Sequence, residues 1–264
     1  MRAMHTAATG MMAQELNVQV ISNNIANLRT TGYKRQQAHF QDLLYQTMRR
    51  SGAATSDQGT MVPAGVEIGS GVKTVSTARV MTQGNVTQTE KDYDLAIRGE
   101  GMFRIRMPDG RTGYARDGGF NLDAQGQLVT KEGYLVEPGI TIPQNATKVT
   151  ISPLGLVQYV PPGNNPQPTD VGQIQLARFV NKAGLESIGD NLFVETAASG
   201  PAIEGNPGSE GFGNLQQGFL EEANVNAVTE ISSLIAAQRA YEMNSKVVTA
   251  ADQMLSATTQ MFRG

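Results

Sequence analysis

Apolar residues near the start of the chain repeat with the period of an amphipathic helix. Two rows with seven-residue spacing contain Met4, Met11, Val18 and Ile25 and, three places behind them, Ala7, Ile21 and Leu28. Such rows form the seam of a coiled coil. Thr30-Thr31-Gly32 follows, and glycine suits the left-handed residue that closes a helix. The pattern predicts a helix over the first 28 residues.

The last 40 residues carry a second pattern of the same kind. One row repeats every seven residues and consists of Leu234, Tyr241, Val248, Leu255 and Phe262. Asn226 is a good N-cap, and Glu230 stands in the first turn, where the helix dipole favours a carboxylate. The pattern predicts a helix of about 36 residues, which is long for an ordinary globular domain.

The hydrophobic pattern between the two ends is that of strands. From about residue 69 to residue 220 the apolar runs are short and β-branched, and turn pairs such as Asp109-Gly110 and Gln125-Gly126 separate them. Strands are predicted over 95–97, 103–107, 133–136, 149–151 and 174–180. The fold class is therefore α+β, with N- and C-terminal helices paired in a coiled-coil-like α domain and a β-rich middle domain.

Residues 46–71 have small and polar side chains but retain several apolar ones. They form either a flexible linker or an extended arm that gains structure on a neighbour, and composition alone favours the linker. The domain boundaries predicted are 1–45 and 221–264 for the two halves of the inner α domain, 46–71 for the arm and 72–220 for the β-rich outer domain.

The placement of the helices at opposite ends of the chain points to assembly. Burial of each large apolar side chain contributes about 1.5–3 kcal/mol, which a lone helix cannot gain. The helices could close a hairpin within one chain, but two helices leave much of such wide stripes exposed, and exposed stripes mark interaction surfaces. Use between chains is favoured. The predicted contacts, within or between copies, join Met4, Met11, Val18, Ile21, Ile25 and Leu28 to Leu234, Tyr241, Val248, Leu255 and Phe262.

Composition narrows the possible functions. The 264 residues carry a net charge of −3 without a basic face, which argues against nucleic acid as a partner. There is no cysteine, so disulfides and thiol chemistry are excluded. Neither a membrane-spanning run nor the apolar block of a cleaved signal is expected, so the chain is cytoplasmic or exported by another route.

The sequence contains no complete motif for catalysis or metal binding. The two histidines, His5 and His39, have no partner at motif spacing. The segment from Asn121 to Glu132 has calcium-loop spacing, but two ligand positions hold the wrong residues and strands are predicted on both sides. A hairpin turn is the better interpretation. No catalytic residue, cofactor or metal is predicted.

Several segments resemble the bacterial flagellar rod and hook family, most closely its distal rod member. They are Ala8-Thr-Gly-Met11, Val20-Ile-Ser-Asn-Asn-Ile-Ala-Asn27, Thr30-Thr-Gly-Tyr-Lys34, Phe40-Gln-Asp-Leu-Leu-Tyr45, Gln83-Gly-Asn85, Asp94-Leu-Ala-Ile-Arg-Gly99, Leu185-Glu-Ser-Ile-Gly-Asp-Asn-Leu192, Asn224-Val-Asn226 and Gln238-Arg-Ala-Tyr-Glu-Met-Asn244. The resemblance runs nearly from end to end.

The resemblance implies a structural subunit that polymerises helically into a stiff hollow shaft and transmits torque from motor to hook. It implies a basal-body location spanning the periplasm and export by the flagellar type III apparatus without a cleaved signal. The implied partners are further copies, proximal rod and hook proteins, and the P and L ring proteins, without membrane insertion. It also implies that residues 46–71 form an arm that bridges neighbouring subunits.

Three asparagines lie off the predicted seam and are candidates for lateral hydrogen bonds, namely Asn23, Asn24 and Asn27. The alternatives are a proximal rod or hook subunit of the same family, or a secreted β-domain enzyme or adhesin with a coiled-coil stalk.

Overall fold

A computed structural model describes residues 2–50, 64–163 and 167–261 of the chain. These residues form two compact units. The helical unit comprises the described parts of Met1–Ile25, Gln36–Ala78 and Asn226–Gly264. The β-rich unit comprises Ala26–Arg35 and the described parts of Arg79–Val225. Helices at the two ends and strands between them confirm the predicted α+β class.

The helical unit contains two long helices and four strands. They are α1 (Arg2–Ala26), β1 (Gln36–Asp42), β2 (Tyr45–Arg49), β3 (Val66–Gly69), β4 (Val72–Arg79) and α2 (Ala227–Met261). The side-chain oxygen of Asn226 accepts hydrogen bonds from the backbone N–H groups of Val228 and Thr229, at 3.0 and 3.2 Å, which confirms the predicted N-cap. Gly32 follows α1 with φ of 68°, as the sequence predicts.

Strands β1 to β4 form one long two-stranded ribbon. β1 pairs with β4, and β2 pairs antiparallel with β3. Two backbone hydrogen bonds join these pairs, from Leu43 N–H to the Gly71 carbonyl at 2.8 Å and from Ser70 N–H to the Leu44 carbonyl at 3.2 Å. The described ends of the predicted arm are thus strands, while residues 51–63 lie outside the described part of the chain.

The β-rich unit contains the remaining strands and one short 3₁₀ helix at Lys182–Gly184. The strands are β5 (Val86–Gln88), β6 (Leu95–Arg98), β7 (Met102–Arg106), β8 (Thr112–Ala115), β9 (Asn121–Leu122), β10 (Leu128–Val129), β11 (Leu135–Val136), β12 (Lys148–Ile151), β13 (Leu156–Val160), β14 (Thr169–Gln173), β15 (Leu176–Arg178), β16 (Glu186–Gly189), β17 (Leu192–Val194), β18 (Ile203–Gly205), β19 (Asn214–Gln217) and β20 (Phe219–Glu221).

A branched nine-stranded sheet organises this unit. Strand β7 lies at its centre and pairs antiparallel with β8, β11 and β15. Smaller sheets join β12, β13 and β14, join β6 to β19, and join β5 to β20. The last two pairings connect strands that are more than one hundred residues apart in the sequence.

The sheet is covered by apolar side chains on both faces. Neighbouring residues of a strand point to opposite sides, so Phe103 enters the larger core and Met102 a smaller cluster. In the larger core Phe103 meets Phe120 edge to face, with ring centres 5.0 Å apart. In the smaller cluster Tyr114 meets Phe179 in the same way at 4.7 Å. Burial of this kind supplies most of the free energy of folding.

Each of the five strands predicted from the sequence has a counterpart among β6, β7, β11, β12 and β15. The segment from Asn121 to Glu132 folds as the β9–β10 hairpin, in which Asp123 accepts hydrogen bonds from the backbone N–H groups of Gln125 and Gln127. The carboxylate of Asp123 therefore stabilises the turn, as the hairpin interpretation requires.

Candidate assembly site

The two long helices meet in antiparallel orientation. A Cβ atom added to Gly10 of α1 would lie 2.8 Å from the amide nitrogen of Asn244 on α2. Fourteen residues later on α1 and fourteen earlier on α2, the side-chain nitrogen of Asn24 donates to a carboxylate oxygen of Glu230 at 3.2 Å. The two contacts together define the direction and the register of the helices.

The buried residues of the two helices are mostly small or polar. On α2 the buried residues are Glu230, Ala237 and Ala251, which share a seven-residue spacing with Asn244. On α1 the buried residues are Ala7, Ala13, Val20, Ile21 and Asn24. Gly10 permits the amide of Asn244 to pack directly over the backbone of α1.

The predicted row of α1 is mostly half-buried. Ile21 is fully buried, and five members are half-buried: Met4, Met11, Val18, Ile25 and Leu28. The first five residues of the row belong to the helical unit and Leu28 to the β-rich unit. Ile21 is thus among the buried residues of α1, and part of each half-buried side chain stays open to solvent.

The predicted row of α2 is more open. Leu234 and Val248 are half-buried, whereas Tyr241 and Leu255 are each 43% exposed to solvent. Phe262 lies outside the described residues. Further large apolar side chains on this helix are exposed as well, namely Val228, Ile231, Ile235, Met243, Val247, Met254 and Met261. A helix with this much exposed apolar surface offers an extensive surface for binding other helices.

The three predicted asparagines have different environments. Asn24 is fully buried, and its side chain exchanges two 2.8 Å hydrogen bonds with the backbone N–H and carbonyl of Gln36. Its amide therefore joins α1 to the start of β1 within one chain. Asn23 is exposed, and Asn27 is half-buried with its side-chain oxygen accepting a hydrogen bond from Thr30 at 3.1 Å.

The ribbon carries a second exposed apolar surface. Its exposed side chains include Leu44, Tyr45, Met48, Val66, Ile68 and Val75. Tyr45 lies across from Gly69, with a ring carbon 3.3 Å from the position that a Cβ would take. A two-stranded ribbon is only marginally stable in water without packing on a further surface.

The β-rich unit contains a buried ionic group that we call the junction cluster: Lys34, Arg116 and Glu221. The Glu221 carboxylate lies 2.5 Å from the Lys34 ammonium and 2.6 Å from Nε of Arg116. It also accepts a hydrogen bond from the backbone N–H of Gly84 at 2.9 Å. All three side chains are at most 6% exposed.

The junction cluster unites segments that are far apart in the sequence. Gly32 N–H donates to the Glu221 carbonyl at 2.8 Å. The side chain of Asn224 accepts from Arg35 N–H at 2.7 Å and donates to the carbonyl of Val80 at 2.7 Å. The segments that follow α1 and precede α2 are thereby held side by side. This cluster is not predictable from the sequence, because single charged residues in separate motifs carry no signal of their pairing.

Burial and charge act in opposite directions on Glu221. Burial by itself raises the pKa of its carboxyl group, but Arg116 and Lys34 outweigh burial and hold that pKa below its ordinary value. For Lys34 burial dominates, so the pKa of the ammonium is lowered despite the attraction of Glu221. The cluster therefore has a structural role, and its charged groups also hydrogen-bond to backbone groups of Thr82, Gly84, Ile97, Gly99 and Gly101.

Within residues 2–50, 64–163 and 167–261 no group of three or more His, Asp or Glu side chains is arranged to hold a metal ion. Neither helix, over its described length, is long and apolar enough to cross a membrane.

Three family models match successive parts of the chain. The model for flagella basal body rod protein matches residues 4–34. The model for the flagellar hook protein FlgE/F/G D1 domain matches residues 96–159, and that for the flagellar basal body rod FlgEFG protein C-terminal region matches residues 216–261. The matched regions cover α1, much of the β-rich unit and α2.

Relatives that align with nearly the whole chain show which family it belongs to. The chain is 60% identical to the flagellar basal-body rod protein FlgG of Caulobacter vibrioides over 99% of both chains, and 50% identical to that of Agrobacterium fabrum over 100% of both. The chain belongs to the FlgG family of flagellar basal-body rod proteins. Identity to the rod protein FlgF of the same Caulobacter strain is 33%, over 93% of this chain and 91% of that one.

The family confirms the resemblance found in the sequence, including its closest similarity to the distal rod member. The chain is therefore a structural subunit of the flagellar rod and not an enzyme. The gap between 60% and 33% identity to two rod proteins of one organism argues against membership of another rod branch.

Proposed function

We propose that copies of this chain polymerise helically into a stiff hollow shaft that transmits torque from motor to hook. The observation that carries this proposal is the amount of apolar surface left open on α2, including Tyr241 and Leu255 at 43% exposure. A helical polymer needs one heterologous contact that repeats without closing. The open faces of the long helices offer such a contact.

The proposed inner layer is a coiled-coil-like pair of helices. In support, the contacts Gly10–Asn244 and Asn24–Glu230 are two heptads apart on both helices. A polar pair at a seam position fixes register, since any shift would leave buried polar groups without partners. Under this proposal the half-buried side chains of Met4, Met11, Val18 and Ile25 and the row from Leu234 to Phe262 contact neighbouring copies.

The ribbon is the proposed bridge between neighbouring subunits. Its exposed apolar side chains, such as Leu44 and Met48, would be buried against another copy, and that burial would stabilise strands that are marginal alone. This reverses the linker interpretation that composition favours. Asn23 and Asn27 remain candidates for lateral hydrogen bonds between copies.

The remaining proposals rest on family membership. They are a basal-body location across the periplasm, contacts with proximal rod and hook proteins and with the P and L rings, and export through the flagellar type III apparatus. The proposed domain organisation is an inner α domain from residues 1–45 and 221–264, an arm over 46–71 and an outer β-rich domain over 72–220.

Electron microscopy of basal bodies from a strain that lacks this gene tests the proposed function. We expect rods that stop short and carry no hook, because no subunit is present to extend the shaft. Expression of the intact gene in the same strain should restore full rods and hooks. Complete rods and hooks in the deletion strain, with no second copy of the gene, would contradict the proposal.

A further inference from the structure

An open cavity of about 650 Å³ lies within the β-rich unit, over one face of the nine-stranded sheet. Strand β8, the end of β17 and the segment that leads into β18 supply most of its wall. The lining includes Thr112, Tyr114, Glu195, Pro201, Ala202 and Glu204. Cavities of this volume are large enough for an organic ligand or for side chains of another polypeptide.

The register of the strands places the polar lining residues on one side of the sheet. Tyr114 of β8 lies opposite Phe193 of β17, and both belong to the smaller apolar cluster. Arg104 of β7 also lies opposite Tyr114. Glu204 of β18 lies opposite Ala177, which is another member of that cluster. Directly paired residues share a face, so these side chains all point to the side on which the cavity opens.

Tyr114 presents a hydroxyl without a partner to this cavity. The residue is only 4% exposed, and its ring packs edge to face on Phe179. Among the described residues no hydrogen bond joins the hydroxyl to another group. A phenolic hydroxyl can both donate and accept hydrogen bonds, and a buried polar group that does neither costs free energy. A ligand in the cavity that Tyr114 lines would supply the missing partner.

The carboxylates of the lining act on this hydroxyl. Burial is the main cause that raises the pKa of Tyr114 to about 12, and the charge of Glu195 is the next. Glu204 raises the pKa further, whereas Arg104 opposes the rise. Because the interaction between charges weakens with distance, the hydroxyl lies near both carboxylates. The electrostatic potential at its oxygen therefore favours a cation.

Glu195 offers the cavity a carboxylate without a cationic partner. Its side chain accepts a hydrogen bond from the backbone N–H of Ala202 at 3.2 Å. No Lys or Arg of the described chain lies within ion-pair distance of it. Arg111 also lines the cavity, but its guanidinium is paired with Asp109 at 2.6 Å. The charge of Glu195 is thus available to a cation from outside the chain.

The neighbouring ion pairs leave this charge uncompensated. Arg104 lies 2.7 Å from a carboxylate oxygen of Glu137 and 3.0 Å from one of Glu204. Arg106 lies 3.2 Å from the other oxygen of Glu137. With Glu195, three carboxylates stand beside two guanidinium groups, which leaves one negative charge. A bound cation would restore the balance.

We propose that this cavity binds a primary alkylammonium group. The Glu195 carboxylate and the Tyr114 hydroxyl would accept hydrogen bonds from its N–H groups, and its carbon chain would lie against Pro201 and Ala202. The group could belong to a dissolved amine or to a lysine side chain of a second copy. The inference goes beyond the proposed function, and binding of a dissolved amine does not require polymerisation.

Titration of the ¹⁵N-labelled full-length chain with n-butylammonium chloride tests the proposal, with sodium chloride at equal ionic strength as the reference. We expect saturable shifts of the backbone amides of residues 112–114 and 193–195. 1-Butanol has the same carbon chain without the charge and should cause no saturable shifts there. The absence of saturable shifts with butylammonium would overturn the proposal, and so would equal affinity for butanol.

Two variants test the residues that would hold the ammonium group. Glu195→Gln should preserve the fold, because Glu195 is exposed, and should weaken binding about three- to fivefold. Glu210→Gln, an exposed position outside the cavity, is the matched control and should leave the affinity unchanged. Tyr114→Phe removes only the hydroxyl and should weaken binding about fivefold without lowering the unfolding midpoint. Equal affinity of the parent, Glu195→Gln and Tyr114→Phe chains would overturn the proposal.

A water-soluble carbodiimide distinguishes the source of the ammonium group. It couples a carboxylate to a touching amine as an amide and takes up the water that is lost, so it captures a Glu195–lysine pair. In the polymer, an amide between Glu195 and a lysine of another copy indicates a side chain. Saturable binding of butylammonium by the polymer without that amide indicates a dissolved amine. A polymer that shows neither the amide nor the binding would contradict the proposal.

Discussion

At the scale of single residues, polar side chains inside the protein determine where distant segments meet. Asn24 joins α1 to the first residue of β1, and Glu221 joins Lys34 to Arg116 in the β-rich unit. Removal of one member of a buried ionic group is costly because the remaining charges stay buried without compensation. These residues are therefore the most sensitive points of the fold.

Replacement of Glu221 tests this view. Glu221→Gln keeps the size of the side chain but leaves Lys34 and Arg116 without a counter-charge, so we expect the free energy of unfolding to fall by about 3–5 kcal/mol. Urea unfolding followed by tyrosine fluorescence measures the change. Glu222→Gln is the matched control, since Glu222 is exposed and its replacement should change stability by less than about 0.5 kcal/mol. Equal stability of the two variants would refute the role of the cluster.

The lowered pKa of Glu221 predicts how stability depends on pH. The unfolded carboxyl group binds a proton more readily than the folded one, so stability rises with pH in this range. The contribution is fully present above the ordinary pKa of 4.5 and is lost as pH falls through the lower folded pKa. Urea unfolding at a series of acidic pH values should show this loss, and Glu221→Gln should reduce it. Parallel pH profiles would contradict the assignment.

At the scale of secondary structure elements, α2 buries small and polar residues and leaves most of its large apolar residues exposed. Gly10 lies where α1 meets Asn244 of α2, and the buried residues of α2 are small or polar, whereas its larger apolar residues are half-buried or exposed. Large side chains such as Tyr241 and Leu255 are open to contact with other copies. The helices are thus both an internal pair and a candidate binding surface.

A charge on the flank of α2 should block assembly. Val248→Asp places a carboxylate on the row proposed to contact other copies, where burial of an unpaired charge is unfavourable. We expect no polymer, while the β-rich unit keeps its circular dichroism spectrum and unfolding midpoint. Thr249→Asp makes the same replacement at the neighbouring exposed position and should still assemble. Rods observed with Val248→Asp would contradict the proposal that this row contacts other copies.

At the scale of the whole molecule, apolar packing is distributed unevenly. The larger core lies within the β-rich unit, whereas the ribbon and α2 of the helical unit expose most of their large apolar residues. Helices and two-stranded ribbons without packing partners are marginal in water. The β-rich unit is therefore expected to be the stable part of an unassembled chain.

Hydrogen exchange on the free and assembled chain measures this difference. In the free chain we expect little protection of backbone amides in residues 2–26, 66–79 and 227–261, because local opening of these segments exposes little apolar surface. Strands β7 and β8 should be protected in both states and serve as the internal control. Assembly should slow exchange in the helices by orders of magnitude. Strong protection of the helices in the free chain would contradict the proposed dependence on neighbours.

The sequence by itself determined the two terminal helices and the β-rich character of the region between them. Heptad spacing and the Asn226 cap identified both helices, and short β-branched runs between glycine turns identified the strands. These features depend on local backbone preferences and on the spacing of apolar side chains, and both can be read from neighbouring residues in the sequence. The same sequence also carried the motifs that led to the rod family.

Only the tertiary structure decided which residues meet across long separations. It brought Lys34, Arg116 and Glu221 into one buried group, aligned Gly10 with Asn244, and joined the ends of residues 46–71 into a ribbon. Periodicity gives the direction in which a side chain points on its own element but not its partner on another. That choice depends on packing of the whole chain, where small residues permit close approach and buried charges require compensation.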